Sequence, residues 1–316
     1  IPPYILAYTF TGLFDNFGTL NNLARDIFFL DESTVLFPNV RNIYGGIIIF
    51  AFTLYPYLYL LARMSFLNQS KSMIESGIML GLNQFQVFYK VALPLIRPAI
   101  IGGLMLVSME VLSDFGAVEH FAIPTFTTGI FRTWQGLYDL TSAMQLASIL
   151  LIIITVFIIA ERKSRRGAMY SPQSSNFKPI KEEKLKGIKS AIAFFICLIP
   201  ILIGFVLPVF ELSVWAFSYN TAFFSEKFFQ TALNTIIVSI SAAVLCAILA
   251  LIVNFSVRFN NNKPLSSLSS LLTIGYGMPG LILAIGIVKL TTTLDANFDL
   301  FITGSLFGLI VAYLIK

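Results

Sequence analysis

IYGGIIIFAFTLYPYLYLLA, Ile43 to Ala62, is a run of 20 residues without a charged side chain, closed at once by Arg63. A helix rises 1.5 Å per residue, so about 20 residues cover the roughly 30 Å of hydrocarbon in a bilayer. Working outward from this run, further apolar blocks fall at approximately 1–13, 99–118, 143–160, 190–214, 232–253, 268–290 and 301–316. The chain as a whole is 57% hydrophobic and 12% charged. An ordinary soluble domain runs about 45–50% apolar and about 25% charged. The excess has no place in a water-soluble core, and the expected fold is an all-α polytopic membrane protein with about eight transmembrane helices.

Charge placement sets the orientation. With residues 63–98, 161–189, 254–267 and Lys316 on the cytoplasmic side, 16 of the 21 basic residues lie inside, with only Glu75, Glu161, Glu182 and Glu183 among the acids. Asp15, Asp31, Glu32, Asp139, Glu226 and Asp295 fall outside. The reverse orientation inverts the positive-inside rule. The formal charge of +5 thus follows from topology. The basic residues flank apolar spans and form no aromatic-laced patch, so lipid and not nucleic acid is the expected partner. Cys197 and Cys246 sit in separate apolar blocks, and His120 is the only histidine. This pattern gives no disulfide framework and no zinc spacing, and no cofactor is expected.

The longest polar stretch, Glu161 to Lys189, contains Gly167, Pro172 and Pro179 with no apolar period, and reads as a basic cytoplasmic linker that also suits a headgroup-facing segment. It separates two similar halves. Ile1-Pro2-Pro3-Tyr4-Ile5-Leu6-Ala7 lines up with Met278-Pro279-Gly280-Leu281-Ile282-Leu283-Ala284, and Tyr44-Gly45-Gly46-Ile47-Ile48 with Phe307-Gly308-Leu309-Ile310-Val311. A parallel duplication accounts for both matches in the same order; shared composition of proline-containing apolar helices is the plainer alternative. On the duplication, 1–160 is a first repeat, 161–189 the linker and 190–316 a second repeat. Ile1-Pro2-Pro3 carries no initiator Met or basic leader, and Lys316 falls at the edge of an apolar block, so both ends are expected to be cut.

One polar segment departs from this pattern: SKSMIESGIMLGLNQFQVFYKVALPLIRP, Ser70 to Pro98. Ser72 followed by Glu75 fits a capping box for a short helix of about 73–80. Gly81 suits the left-handed residue that ends a helix, and Asn83 with Gln86 supplies a second box for a helix of about 84–92. Pro94 disfavours helical geometry at Leu93, and Pro98 suits the entrance to the next span. The expected result is a protruding elbow. Ile74, Ile78 and Met79 offer an apolar ridge, while Phe85, Phe88 and Tyr89 are placed to anchor against span ends. The ridge fits a partner's groove or a lipid headgroup layer, and the residues alone leave both open.

The order Glu75-Ser76-Gly77, three residues, Gly81, nine residues, Val91-Ala92-Leu93-Pro94 resembles the EAA loop of binding-protein-dependent ABC importer permeases, E-A-A-x3-G-x9-I-x-L-P. Ser76 and Gly77 replace two alanines and Val91 an isoleucine. Glu110-Val111-Leu112-Ser113-Asp114-Phe115-Gly116 and Phe126-Thr127-Thr128-Gly129-Ile130-Phe131-Arg132-Thr133-Trp134 resemble the ferric-iron branch, a pattern shared in part by phosphonate and polyamine permeases. Asn234-Thr235 and Pro279-Gly280-Leu281 are also similar to the family. The resemblance implies two six-helix halves, so twelve helices in all, each half with a coupling loop. It further implies cytoplasmic ATP-binding ATPase subunits, a periplasmic substrate-binding protein and a bacterial inner-membrane location. Only one such loop is present in these residues.

Physical reading gives roles within that frame. Glu75 is expected to cap the first short helix, Gly81 to permit the bend, and Leu93-Pro94 to fix the elbow to the span. Glu110 lies about 18 Å into a helix starting near Ala99. With Asp114 it is a candidate for the translocation pathway, or else a structural carboxylate between helices. Asp114, Glu119, His120 and Glu211 are also placed at outer ends, touching a binding protein or solvent. No Gly-rich Lys-Ser/Thr phosphate loop and no nucleophile with a matched base are present. The chain therefore reads as a permease subunit and not an enzyme. An ion-coupled secondary transporter shares repeats and intramembrane carboxylates but has no use for the coupling-loop spacing. A membrane-embedded enzyme needs clustered His or acidic residues that the sequence lacks.

Overall fold

The computed structural model describes residues 1–31, 34–165, 185–218, 225–259, 278–299 and 301–315, and the regular structure among them is helical. In chain order the helices are α1 (Pro3–Phe14), α2 (Thr19–Phe28), α3 (Ile43–Leu67), α4 (Lys71–Met79), α5 (Gln84–Ser113), α6 (Gly116–His120) and α7 (Phe126–Phe131). There follow α8 (Leu140–Arg165), α9 (Ile188–Ser218), α10 (Glu226–Phe259), α11 (Gly280–Phe298) and α12 (Leu306–Ile315).

Six of them, α3, α5, α8, α9, α10 and α11, are long and apolar enough to cross a membrane. The chain is thus a polytopic all-α protein, with corrections to the expected spans. The first and last candidates, 1–13 and 301–316, correspond to α1 of 12 residues and α12 of 10 residues. The candidate 99–118 is divided: α5 ends at Ser113, and α6 begins after a break at Asp114-Phe115. The expected linker 161–189 is helical at both margins, through Arg165 and from Ile188. Residues 166–184 and the 268–277 part of another candidate span lie outside the described residues.

The structure divides into two compact units. The first holds Ile1–Val111, Gly116–Ile123 and Thr155–Glu211. Its core is formed by Leu6, Ala7 and Phe10 of α1, Ile49 of α3, and Ala117 and Phe121 of and beside α6. Close approach is what allows this packing: a Cβ on Gly204 of α9 would sit 2.6 Å from the carbonyl oxygen of Phe52. Small residues at such crossings are the usual device where lipid tails compete with side chains for apolar contact.

The second unit holds Leu112–Phe115, Pro124–Ile154 and Leu212–Lys316. Its α7 is capped by Thr125, whose hydroxyl accepts from the Thr128 N–H while the Thr128 hydroxyl accepts from the Thr125 N–H. Thr127 donates to the Asp114 carbonyl at 2.7 Å, and the rings of Phe115 and Phe131 lie 4.4 Å apart. The long α10 is largely exposed, yet its hydroxyls are satisfied. Thr231, Thr235 and Ser239 each donate to the carbonyl one turn back, which brings polar groups into hydrocarbon at small cost.

The segments matched in sequence also begin their helices alike. Pro2 and Pro279 each cap a helix in extended geometry, with their carbonyls accepting from residues three and four ahead. Asn42 and Ser305 each accept, through the side chain, from the N–H of the glycine three residues on, Gly45 and Gly308.

Candidate functional site

The segment 70–98 folds as a helical hairpin whose second arm is a membrane helix. The first arm, α4, starts earlier than the sequence predicts, with Ser70 at the cap. Ser72 therefore lies inside the helix, and the expected Ser72/Glu75 capping box does not form. Ser72 instead meets the Ser70 hydroxyl at 2.6 Å, and Glu75 pairs with Lys71, one turn back, at 2.9 Å. Ser76 donates to the Ser72 carbonyl at 2.8 Å. Glu75 is thus an exposed surface ion-pair partner and not a cap.

The corner is closed as the sequence predicts. Gly81 has φ of +82°, in the left-handed region. Its N–H donates to Ile78 O at 2.9 Å, and the Leu82 N–H donates to Gly77 O at 3.1 Å. This pair of bonds is the Schellman motif, which satisfies carbonyls the ending helix leaves free. Asn83 then opens α5 with the expected reciprocal box: Asn83 accepts from the Gln86 N–H at 2.8 Å, and Gln86 accepts from the Asn83 N–H at 3.1 Å. A left-handed stop followed directly by a capped start defines the bend.

Beyond the corner the structure differs again. Leu93-Pro94 does not end a short helix, because α5 runs unbroken from Gln84 to Ser113. Residues Phe88–Ala92 form a π-turn, with the Leu93 N–H donating to Phe88 O. Pro94 offers no N–H and its ring crowds the carbonyl four residues back; widening the preceding turn accommodates both defects without breaking the helix. The same arrangement, Leu202–Val206 ahead of Leu207-Pro208, occurs in α9. The hairpin's bend therefore lies at Gly81 alone, and Pro94 stiffens no separate elbow.

The arms meet at Gly77, which is buried. A Cβ there would stand 3.2 Å from Val87 Cγ2 and 3.5 Å from Val91 Cγ2. Gly77 and Val91, fourteen positions apart, are thereby brought together. Leu93 is half-buried and Pro94 exposed. Gln69 is a residue the sequence reading missed. It is buried, and its amide donates to the Ala92 carbonyl at 2.7 Å, tying the end of α3 to the second arm. Phe88 lies 6.1 Å from Phe66 in parallel rings, anchoring to a span end as expected. Phe85 does not: it is exposed and pairs with Tyr89 at 4.7 Å. Ile74 is half-buried, so the outward apolar surface is Ile78, Met79 and Leu80, the last two 88% and 83% exposed.

At the other end of α5, Glu110 sits in the last helical turn and Asp114 in the break that follows, each half-buried. The structure thus puts Glu110 near a helix end. Glu211, expected at an outer end in contact with a binding protein or solvent, is buried: 4% exposed, it accepts from the Thr19 hydroxyl at 2.6 Å. His120 is half-buried with its Nε2 3.0 Å from Thr11 Oγ1. The Thr11 proton goes to Ala7 O at 2.9 Å, so Nε2–H donates to Thr11. Burial lowers the His120 pKa from its ordinary value of 6.5, with a smaller effect in the same direction from the Arg41 guanidinium, which also donates to the His120 carbonyl.

The site is thus a compact hairpin with an exposed apolar tip, continuous with a helix long and apolar enough to cross a membrane. The sequence profile of the binding-protein-dependent transport system inner membrane component family matches residues 1–162. The chain belongs to that family, the permeases of ABC-type importers, and is a multi-pass inner-membrane protein. Among curated relatives it is 25% identical over 279 residues to the Fe(3+)-transport system permease protein FbpB 2 of Haemophilus influenzae, covering 87% of this chain and 54% of that one. It is 28% identical over 167 residues to the inner membrane ABC transporter permease protein YcjO of Escherichia coli, covering 51% and 57%. It is 27% identical over 101 residues to the sulfate transport system permease protein CysW of Synechococcus elongatus, covering 29% and 35%. The chain spans about half the length of FbpB 2 and YcjO. No solved structure matches it significantly.

Proposed function

We propose that the chain is the translocating subunit of an ATP-driven, binding-protein-dependent importer of ferric iron, energised by separate cytoplasmic ATPase subunits and supplied by a periplasmic substrate-binding protein. The observation that carries this reading is the hairpin 70–98. Its tip, Ile78-Met79-Leu80, is apolar and exposed, while its base is fixed by Gly77 packing, the Gln69–Ala92 bond and continuity with α5. Such a ridge suits a groove on a partner. A push on the tip travels through a rigid corner into a membrane helix.

In this mechanism ATP-bound ATPase subunits hold the hairpin in one of two permease conformations, and only a difference in affinity between the two drives transport. Glu75, Ser76, Gly77, Gly81, Val91, Leu93 and Pro94 form the coupling element. Gly81 makes the corner, Gly77 and Val91 set the arm spacing, and Glu75 and Ser76 lie on the exposed side of α4. Glu110 lies in the last turn before a helix break and Asp114 within it, and both are assigned to the pathway, since broken helices expose polar backbone where substrate passes. The matching helix starts at Pro2/Pro279 and Asn42/Ser305 support two parallel repeats, 1–160 and 190–316, joined by 161–189.

Ferric iron is supported by the Glu110–Trp134 resemblance and the Fe(3+)-transport relative. The sulfate-transport relative favours a second reading, the same machine with another small solute. The test is ATP hydrolysis by the permease reconstituted with its ATPase subunits and an iron-binding protein. Stimulation only by the ferric-loaded binding protein is expected. Stimulation by a different loaded binding protein discards iron, and no association with any ATPase overturns the coupling role.

A further inference from the structure

The connection between α1 and α3 contains a helix, α2, that the span pattern does not anticipate. Its residues sort into three sectors around the axis. One seam, Asn21, Ala24 and Arg25, is buried against the first unit. One flank, Thr19, Asn22 and Asp26, is polar and exposed. The third flank, Leu23 and Ile27, is apolar and exposed at 50% and 63%, while Phe28, in line with Asn21 and Ala24, and Phe29 close the helix at 66% and 95% exposed.

The buried seam is polar and fully engaged. Asn21 donates to Asp15 O at 2.9 Å and accepts from the Leu36 and Phe37 N–H groups. Arg25 donates to Thr34 O, Asn22 Oδ1 and Asn16 O, with its guanidinium 5.7 Å from the Phe17 ring. At its start, Thr19 donates to the buried Glu211 of α9. The helix is thus rigidly held, so its exposed apolar flank is a fixed surface and not a consequence of loose packing. A water-bathed helix hides its apolar face and shows its polar one. Here a buried seam, an exposed apolar flank and an exposed polar flank divide the circumference.

We infer that α2 lies along the bilayer surface, at the opposite end of α3 from the coupling hairpin, with Leu23 and Ile27 in the headgroup and acyl boundary and Asn22 and Asp26 in water. The occupant of the apolar flank is lipid. This follows from continuity: the bond to Glu211 sets α2 beside the membrane helix α9, whose Val209 and Phe210 are themselves exposed apolar residues. Depth is fixed by the polar and apolar flanks meeting along one helix, the arrangement of an interfacial amphipathic helix. The Thr19–Glu211 contact then marks the bilayer boundary on that side.

The test uses the full chain in vesicles of phosphatidylethanolamine and phosphatidylglycerol, with Cys197→Ala and Cys246→Ala removing the free thiols. Single spin labels are placed at L23C, I27C and D26C, and their collision rates with oxygen and with a water-soluble nickel complex are compared. Labels at 23 and 27 are expected to show an oxygen-to-nickel ratio several-fold above that at 26. Equal nickel access at all three positions places the apolar flank in water and overturns the inference. Shielding of 23 and 27 from both reagents shows a protein cover in place of lipid, which overturns it equally.

Discussion

Gly81→Val isolates the corner of the 70–98 hairpin. Nothing lies within 4 Å of a Cβ built at Gly81, so added volume meets no neighbour and any cost arises in the backbone. With φ at +82°, an L-residue costs about 1–2 kcal/mol, and a β-branched one falls at the upper end. At about 2 kcal/mol the closed corner loses roughly 30-fold in population relative to open forms, since 1.4 kcal/mol is tenfold. The two Schellman bonds, from the Gly81 and Leu82 N–H groups, are the groups released. Hydrogen exchange of the chain in lipid should therefore quicken by about 30-fold at amides 81 and 82, with 43–67 unchanged. Gly81→Ala should give about tenfold, and Gly81→Asn less, because asparagine tolerates this region. ATP-driven uptake by the assembled transporter should fall in the same order. If Gly81→Val exchanged and transported like the parent, or if all three variants behaved alike, backbone strain at the corner would be the wrong explanation.

Further outcomes follow from the same geometry. Gln69→Leu strands the site that ties α3 to the second arm and should cost about 1–2 kcal/mol, read as a lower melting temperature with faster exchange over 84–92. Gly77→Ala needs only a few tenths of an ångström from Val87 and gains helix propensity, so it should be neutral within about 0.5 kcal/mol, whereas Gly77→Leu should part the arms at about 1–3 kcal/mol; comparative thermal unfolding separates the two. Glu75→Gln removes an exposed i,i+4 pair worth about 0.3–0.5 kcal/mol, so a large transport loss with unchanged melting would locate Glu75 in the ATPase contact. For His120, burial and then Arg41 favour the neutral ring. Its stabilisation is present above the ordinary pKa of 6.5 and is lost as pH falls from there toward the lowered folded value. Melting at about pH 5.5 should thus be lower than at about pH 7.5, and His120→Gln should shrink that difference.

The legible parts of the hairpin were those that depend on neighbours in the chain. Asn83 and Gln86 are three residues apart, so their mutual capping needs no tertiary partner, and a glycine at the left-handed stop is required by sterics alone. The Ser72/Glu75 box failed because α4 begins at Lys71, which moves Glu75 beyond the position that can reach back to the cap and puts Lys71 within reach instead. The helix stop at Leu93 failed because a π-turn absorbs what Pro94 removes. Proline rules describe a regular α-helix, and a one-residue widening lies outside them.

Composition and apolar run length alone determined that this protein lives in a membrane, because a bilayer demands some twenty apolar residues per crossing whatever the tertiary fold. The spacing of the 70–98 hairpin, with its glycine and capping residues, was equally local. Only tertiary structure decided that Gly77 meets Val91, that Gln69 reaches Ala92, that Glu211 is buried on Thr19 and not at the surface, and that α2 turns its polar seam inward. Each of these joins positions whose proximity is set by how helices pack. Their side chains look alike in sequence whether they face water, lipid or protein, and the free energy of a polar group depends on which of the three it meets.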